Sequence, residues 1–225
     1  MNTQIPTKRK TIKETPFYTL AEEIMNAVTH GVGALISLAG CVILIVMACL
    51  QRDAYKIVSA AIYGLSLVTL FTMSTLYHAI THPGAKRVFR IFDHTSIFVL
   101  IAGSYTPLTL VLLRESGWGW PIFAVVWTAA LLGIVFNAIS LERFKVFSMI
   151  CYIASGWCIV VAIVPVIQNM ATLGSVLLIA GGLCYTLGII FYGWKRKYMH
   201  SVWHLFVLAG AILHYFCILF YVIMA

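Results

Sequence analysis

Charge is what this sequence has least of. Only 10% of its 225 residues are charged, and Asp and Glu together number seven. A soluble domain carries about 25% charged residues, because polar side chains must cover its apolar core. Such scarcity excludes an ordinary soluble globule, a disordered chain and a coiled coil. The six cysteines show no Cys-x-x-Cys spacing and all lie in apolar runs, so they read as packing residues and not as a disulfide framework. There is no glycine-rich phosphate loop, no nucleophile elbow and no internal repeat of the kind transporters carry.

What is present is apolar. Hydrophobic residues make up 62% of the chain, in runs that reach the roughly 20 residues needed to cross hydrocarbon. Seven runs qualify, at residues 24–50, 57–80, 91–113, 118–141, 146–167, 173–194 and 200–225. The expected fold is all-α: a polytopic membrane protein, a single bundle of seven transmembrane helices. Short connections make neighbouring helices antiparallel. Residues 20–225 form this domain, and residues 1–19 are expected to be a polar, mobile cytoplasmic N-terminus. Thr19 is the expected N-cap of the first helix, with Glu22 at the capping-box position. The stretch Leu38-Ala39-Gly40-Cys41 resembles a lipoprotein cleavage box, but the apolar run continues well past it, so a retained helix is expected.

The net charge of +8 would suggest nucleic acid in a soluble protein. Here the basic residues sit between spans, which points to topology and to membrane lipid as the partner, with no nucleic acid. On the side of the N-terminus, the seven-span reading places 12 Lys and Arg, among them Lys86, Arg87, Arg143, Lys195 and Arg196. The opposite side holds three, Arg52, Lys56 and Arg114. By the positive-inside rule the N-terminus is cytoplasmic. In a bacterium the protein is then expected in the plasma (inner) membrane.

An ionisable group in hydrocarbon is costly, so each one inside a span is a functional candidate. Asp93 is the one acid well inside an expected span. With the orientation above, His78 falls near the cytoplasmic end of the second helix, Asp93 near the start of the third, and His200 and His204 at the start of the seventh. His30, in the first turns of the first helix, lies at similar depth. His200 and His204 are four residues apart and share a helix face, the separation two imidazoles use to bind one metal. A third imidazole would complete a three-His zinc site with one position open, the pattern of a catalytic site. Asp93 would serve such a site as base or orienter of water. A lone histidine near a membrane interface is more often an anchor or hydrogen-bonding group than a ligand; the convergence of a pair, a third His and a sole acid shifts that balance. Spacing alone does not choose the third imidazole, because His82 stands four residues from His78. Pro83 directly follows His82 and favours His78. His214 lies about 15 Å deeper than His204 and reads as an interhelical hydrogen-bonding group. The Gly103-Ser104-Tyr105-Thr106-Pro107 run and Pro165 read as kinks.

These residues resemble a known family. Residues 23–31 (EIMNAVTHG), 74–78 (STLYH), 92–107 (FDHTSIFVLIAGSYTP) and 200–214 (HSVWHLFVLAGAILH) are similar to the hemolysin III-like bacterial branch of the progestin and adipoQ receptor family. The resemblance implies seven helices, a cytoplasmic N-terminus and an intramembrane zinc held by His78, His200 and His204. It implies that Asp93 meets the water at the metal and that Ser74 supports it. Relatives of that family are linked to ceramidase-type amide hydrolysis, to membrane lipid homeostasis and, by the branch's name, to cytolysis. The expected function is a zinc-dependent hydrolase of a lipid amide or ester. The alternatives are a non-enzymatic zinc-containing sensor and a cytolytic protein; no amphipathic pore-lining helix stands out to favour the last.

Overall fold

The computed structural model describes residues 18–225. Apart from Tyr18 and Thr19, the expected N-terminal segment lies outside them. The described chain is helical throughout: α1 (Leu20–Leu50), α2 (Ala54–Ala79), α3 (Pro83–Pro107), α4 (Gly119–Gly156), α5 (Ile163–Asn169), α6 (Thr172–Gly193) and α7 (Met199–Ile218). The ends of α3 and α7 run on as π-helical turns, Leu108–Leu112 and Leu219–Ile223.

Local chemistry sets the helix starts. Thr19 and Glu22 form the expected capping box, with the Thr19 N–H 2.9 Å from Glu22 Oε2. Asp53 caps α2 by accepting from the Tyr55 and Lys56 N–H groups. His82 caps α3 and accepts from the Ala85 N–H at 3.3 Å, with Pro83 in the first turn. Proline suits that position, since its missing N–H is not needed there. Helix α3 therefore begins eight residues before the apolar run at residue 91, and its first two turns are polar.

The burial pattern is that of an integral membrane protein. Leu35, Val125, Leu131 and Ile190 are exposed, whereas Asn26, Ser74, Thr106 and His204 are fully buried. A soluble fold reverses this arrangement. Glycine allows the closest helix contacts: at Gly133 an added Cβ would collide with the Phe98 ring, and at Gly181 with the His214 ring.

Among the described residues, six helices and not seven are long and apolar enough to cross a membrane. The expected fourth and fifth helices form one helical stretch, Gly119–Asn169. The charged residues 142–145, where hydropathy alone places a gap, are helical, with the Arg143 N–H donating to Ser140 Oγ at 3.3 Å. The stretch is not straight, however. Ser140 is extended (φ −165°, ψ 106°), and beyond it the chain doubles back. Asn137 Oδ1 accepts from Ser148 Oγ at 2.6 Å, and Asn137 Nδ2 donates to the Tyr152 hydroxyl at 3.3 Å. Along a straight helix Asn137 and Tyr152 would stand about 22 Å apart. Farther on, the expected kink at Pro165 is displaced to a 3₁₀ turn, Cys158–Ala162. The Tyr105 hydroxyl closes that break by donating to the Gly156 carbonyl (2.8 Å) and accepting from the Ile159 N–H (2.9 Å). Freed backbone groups are tolerated in hydrocarbon only when satisfied in this way. Helix α1 packs along α2 and against α7, which closes one side of the bundle.

Candidate metal centre

His78 near the end of α2 meets His200 and His204 in the first turns of α7. One nitrogen from each lies within 4.8 Å of the other two. The Nε2 atoms of His200 and His204 are 3.1 Å apart. Two nitrogens on one tetrahedral zinc at about 2.05 Å would be about 3.3 Å apart. The four-residue spacing on α7 thus aims two imidazoles at one point, as expected from sequence.

The outer nitrogens are held, and this fixes the inner ones. His78 Nδ1 lies 2.7 Å from Glu23 Oε2. A carboxylate only accepts, so in the neutral ring Nδ1 carries the proton and Nε2 the lone pair. That Nε2 is buried with no hydrogen-bond partner in the described chain. His204 Nδ1 lies 3.1 Å from Thr29 Oγ1, whose own proton goes to the Met25 and Asn26 carbonyls. His204 therefore donates from Nδ1 and presents a lone pair at Nε2. Metal-bound histidines are held by outer partners of this kind. An orphaned Nε2 and a facing pair of Nε2 atoms make the donor set fit a cation such as zinc.

His82 is excluded from the cluster by its cap on α3, where it is exposed. His214 lies deeper and hydrogen-bonds the Leu178 carbonyl at 2.9 Å. Asp93 is buried, with Oδ2 3.5 Å from His94 Nδ1. Ser74 is fully buried and faces the Asp93 carboxylate without closing a hydrogen bond of good geometry. Asp93, His94, His30 and His200 share the wall of a cavity of about 160 Å³ between α3, α4, α6 and α7. The cavity runs from these residues past Ile97, Ser104 and Tyr185 to His214.

Sequence reasoning placed His30 in this layer but gave no role to Glu23, Asn26 or Thr29 on the same face. Glu23, Asn26, Thr29 and His30 recur along α1 at helical spacing and form its polar stripe. Besides the contacts above, Asn26 Oδ1 accepts from Ser201 Oγ at 2.5 Å. The His30 ring stacks on His204, centroids 3.5 Å apart. Glu23 Oε1 meets Lys86 Nζ at 2.9 Å, and Lys86 also donates to the Tyr77 and Ile80 carbonyls at the end of α2. Glu22 Oε1 accepts from the Tyr198 N–H just before α7. An apolar helix interrupted by polar residues three and four apart was the available signal. It was lost because the hydropathic span begins at residue 24, whereas the helix begins at Leu20. Tyr18, at the end of the expected N-terminal segment, covers the site with its ring 4.9 Å from that of His200. Burial raises its phenol pKa, so it stays protonated.

The family model described as "Haemolysin-III related" matches residues 18–215, nearly all of the chain and every residue of the His cluster. The chain belongs to the haemolysin-III-related family. It is 45% identical over 203 residues to "Hemolysin-3" of Bacillus cereus, covering 90% of this chain and 92% of that one. It is 42% identical over 205 residues to "Hemolysin-3 homolog" of Bacillus subtilis (strain 168), covering 91% and 96%. A more distant relative is human "Monocyte to macrophage differentiation factor", 31% identical over 180 residues, covering 75% and 72%. The haemolysin-III relationship bears out the resemblance read from the four sequence stretches.

Proposed function

We propose that this chain is an intramembrane zinc-dependent hydrolase acting on a lipid amide or ester, with a role in membrane lipid homeostasis. The observation that supports it most is the set of three inward nitrogens, on His78, His200 and His204, beside a cavity that continues into the bundle. Zinc, when bound by these three with one position open, supplies a Lewis acid for a carbonyl and makes water acidic near pH 7. Asp93 accepts the proton of the attacking water at its carboxylate and returns it to the leaving amine or alcohol. The Ser74 hydroxyl faces the Asp93 carboxylate and is placed to orient it. The apolar wall around Ile97, Ile101 and Met149 receives the acyl chain.

The same reading places the protein in the bacterial plasma membrane with a cytoplasmic N-terminus, on the 12-to-3 division of basic residues. It takes Gly119–Asn169 as two crossings, giving seven. A single crossing by 51 residues would be about 76 Å long, far more than a bilayer core of about 30 Å.

The test is zinc analysis of the purified protein, followed by release of fatty acid from N-acyl and ester lipids with and without zinc. Zinc-dependent release that Asp93→Asn abolishes supports the hydrolase. One zinc per chain with no release from any lipid would leave the sensor alternative in its place.

A further inference from the structure

His30 is a buried imidazole that closes no hydrogen bond of good geometry among the described residues. It is 1% exposed, and neither ring nitrogen has such a bond. Buried polar groups are left unpaired only rarely, and each such case calls for a partner or a function. The ring cannot turn to find one. It lies flat on His204, with an interplanar angle of 9°, edge-on to Phe71 at 5.0 Å and tilted against Trp203 at 6.4 Å. The other polar residues on this face of α1 each hold a group of the metal centre: Glu23 holds His78, Asn26 holds Ser201 and Thr29 holds His204. His30 instead lines the cavity, together with Asp93 and His200.

We propose that His30 contacts the substrate: a ring N–H donates a hydrogen bond to the acyl oxygen of a ligand seated at the metal centre. The ligand class is a carbonyl or carboxylate compound with an apolar tail. A neutral imidazole carries one N–H and one lone pair, so it can donate to an oxygen without changing its protonation. His30 lines the cavity beside Asp93 and His200, so a group seated there against the His200 imidazole is also beside the edge of His30. A fixed donor at an oxygen that gains negative charge favours acyl transfer. This deepens the hydrolase reading and rests on its metal centre, though not on turnover.

The experiment uses the full-length zinc-loaded protein in detergent and dodecanehydroxamic acid, an acyl probe whose oxygens bind zinc. Zinc per chain and the hydroxamate Kd are measured for wild type, His30→Phe, His30→Leu and His30→Asn. His30→Phe and His30→Leu should keep the zinc and weaken the probe by about 10–100-fold, the loss of one good hydrogen bond near charge. His30→Asn, which keeps an N–H donor, should recover part of that loss. Unchanged affinity in whichever of the Phe and Leu variants folds overturns the proposal. So does loss of zinc from both, because His30 would then belong to the metal centre. A wild type that holds no zinc overturns both this proposal and the hydrolase. Weakened probe binding in a protein that hydrolyses no lipid supports this proposal and removes the hydrolase.

Discussion

Replacing Glu23 should loosen the metal without touching a metal ligand. One Glu23 oxygen holds His78 Nδ1 at 2.7 Å, and the other holds Lys86 Nζ at 2.9 Å. Glutamine keeps the shape but loses the charge, and its single carbonyl oxygen can serve only one of the two donors. A hydrogen bond to a charged group is worth about 1.5–3 kcal/mol and a neutral one about 0.5–1.5. The difference, about 1–1.5 kcal/mol, is roughly tenfold in zinc affinity. Alanine removes both bonds and frees the His78 ring, so Glu23→Ala should approach the loss of about 100-fold seen when outer partners of metal ligands are removed. Competition for zinc against a chromophoric chelator reads both variants. Glu22→Gln is the control. Its carboxylate holds Thr19 and the Tyr198 N–H, so it should lower the melting temperature and leave zinc affinity within about twofold. If Glu23→Ala binds zinc as tightly as wild type, the carboxylate does not hold the ligand and the tautomer argument for His78 fails.

Other expectations can be checked with the same protein. Asp93→Asn should retain one zinc per chain and lose lipid turnover by roughly 10²–10⁴-fold, the contribution of a general base; full activity with lowered stability would make Asp93 structural. His204→Ala should lose most of the zinc, whereas His214→Ala should keep it, because His214 bonds Leu178 and lies about 15 Å deeper. Metal analysis of the two variants decides the point. Reporter fusions after Lys197 and at Ala225 should localise to opposite sides of the membrane; the same side for both would remove the seven-crossing topology.

The histidine cluster was legible because two independent constraints met. Orientation put His78, His200 and His204 in one layer, and the four-residue spacing put two of them on one face. His78 was favoured over His82 because Pro83 follows His82, and the structure adds that His82 caps α3. The helix count was less legible. Hydropathy sees the charged residues near 143 as a gap, but those residues are helical and the break falls at Ser140. Nothing in the apolar pattern distinguishes a tight reversal from a loop. The stripe on α1 stayed hidden for a different reason. A carboxylate that bonds an imidazole and an ammonium group is far cheaper to bury than a lone one, so Glu23 can sit inside a helix that a hydropathy threshold trims away.

The division of labour between α1, α2 and α7 has a consequence for biogenesis. Helix α1 is made first and carries the residues that hold the metal ligands, yet it supplies no ligand itself. Two of the three imidazoles arrive with the last helix, whose first turn is tied back to Glu22 through the Tyr198 N–H. Until α7 inserts, Asn26 and Thr29 lack Ser201 and His204, whereas Glu23 already has His78 and Lys86. A chain stopped before α7 therefore presents an unfinished polar face in the bilayer and cannot complete a three-imidazole site. A metal that needs all three imidazoles would therefore load only after α7 is in place.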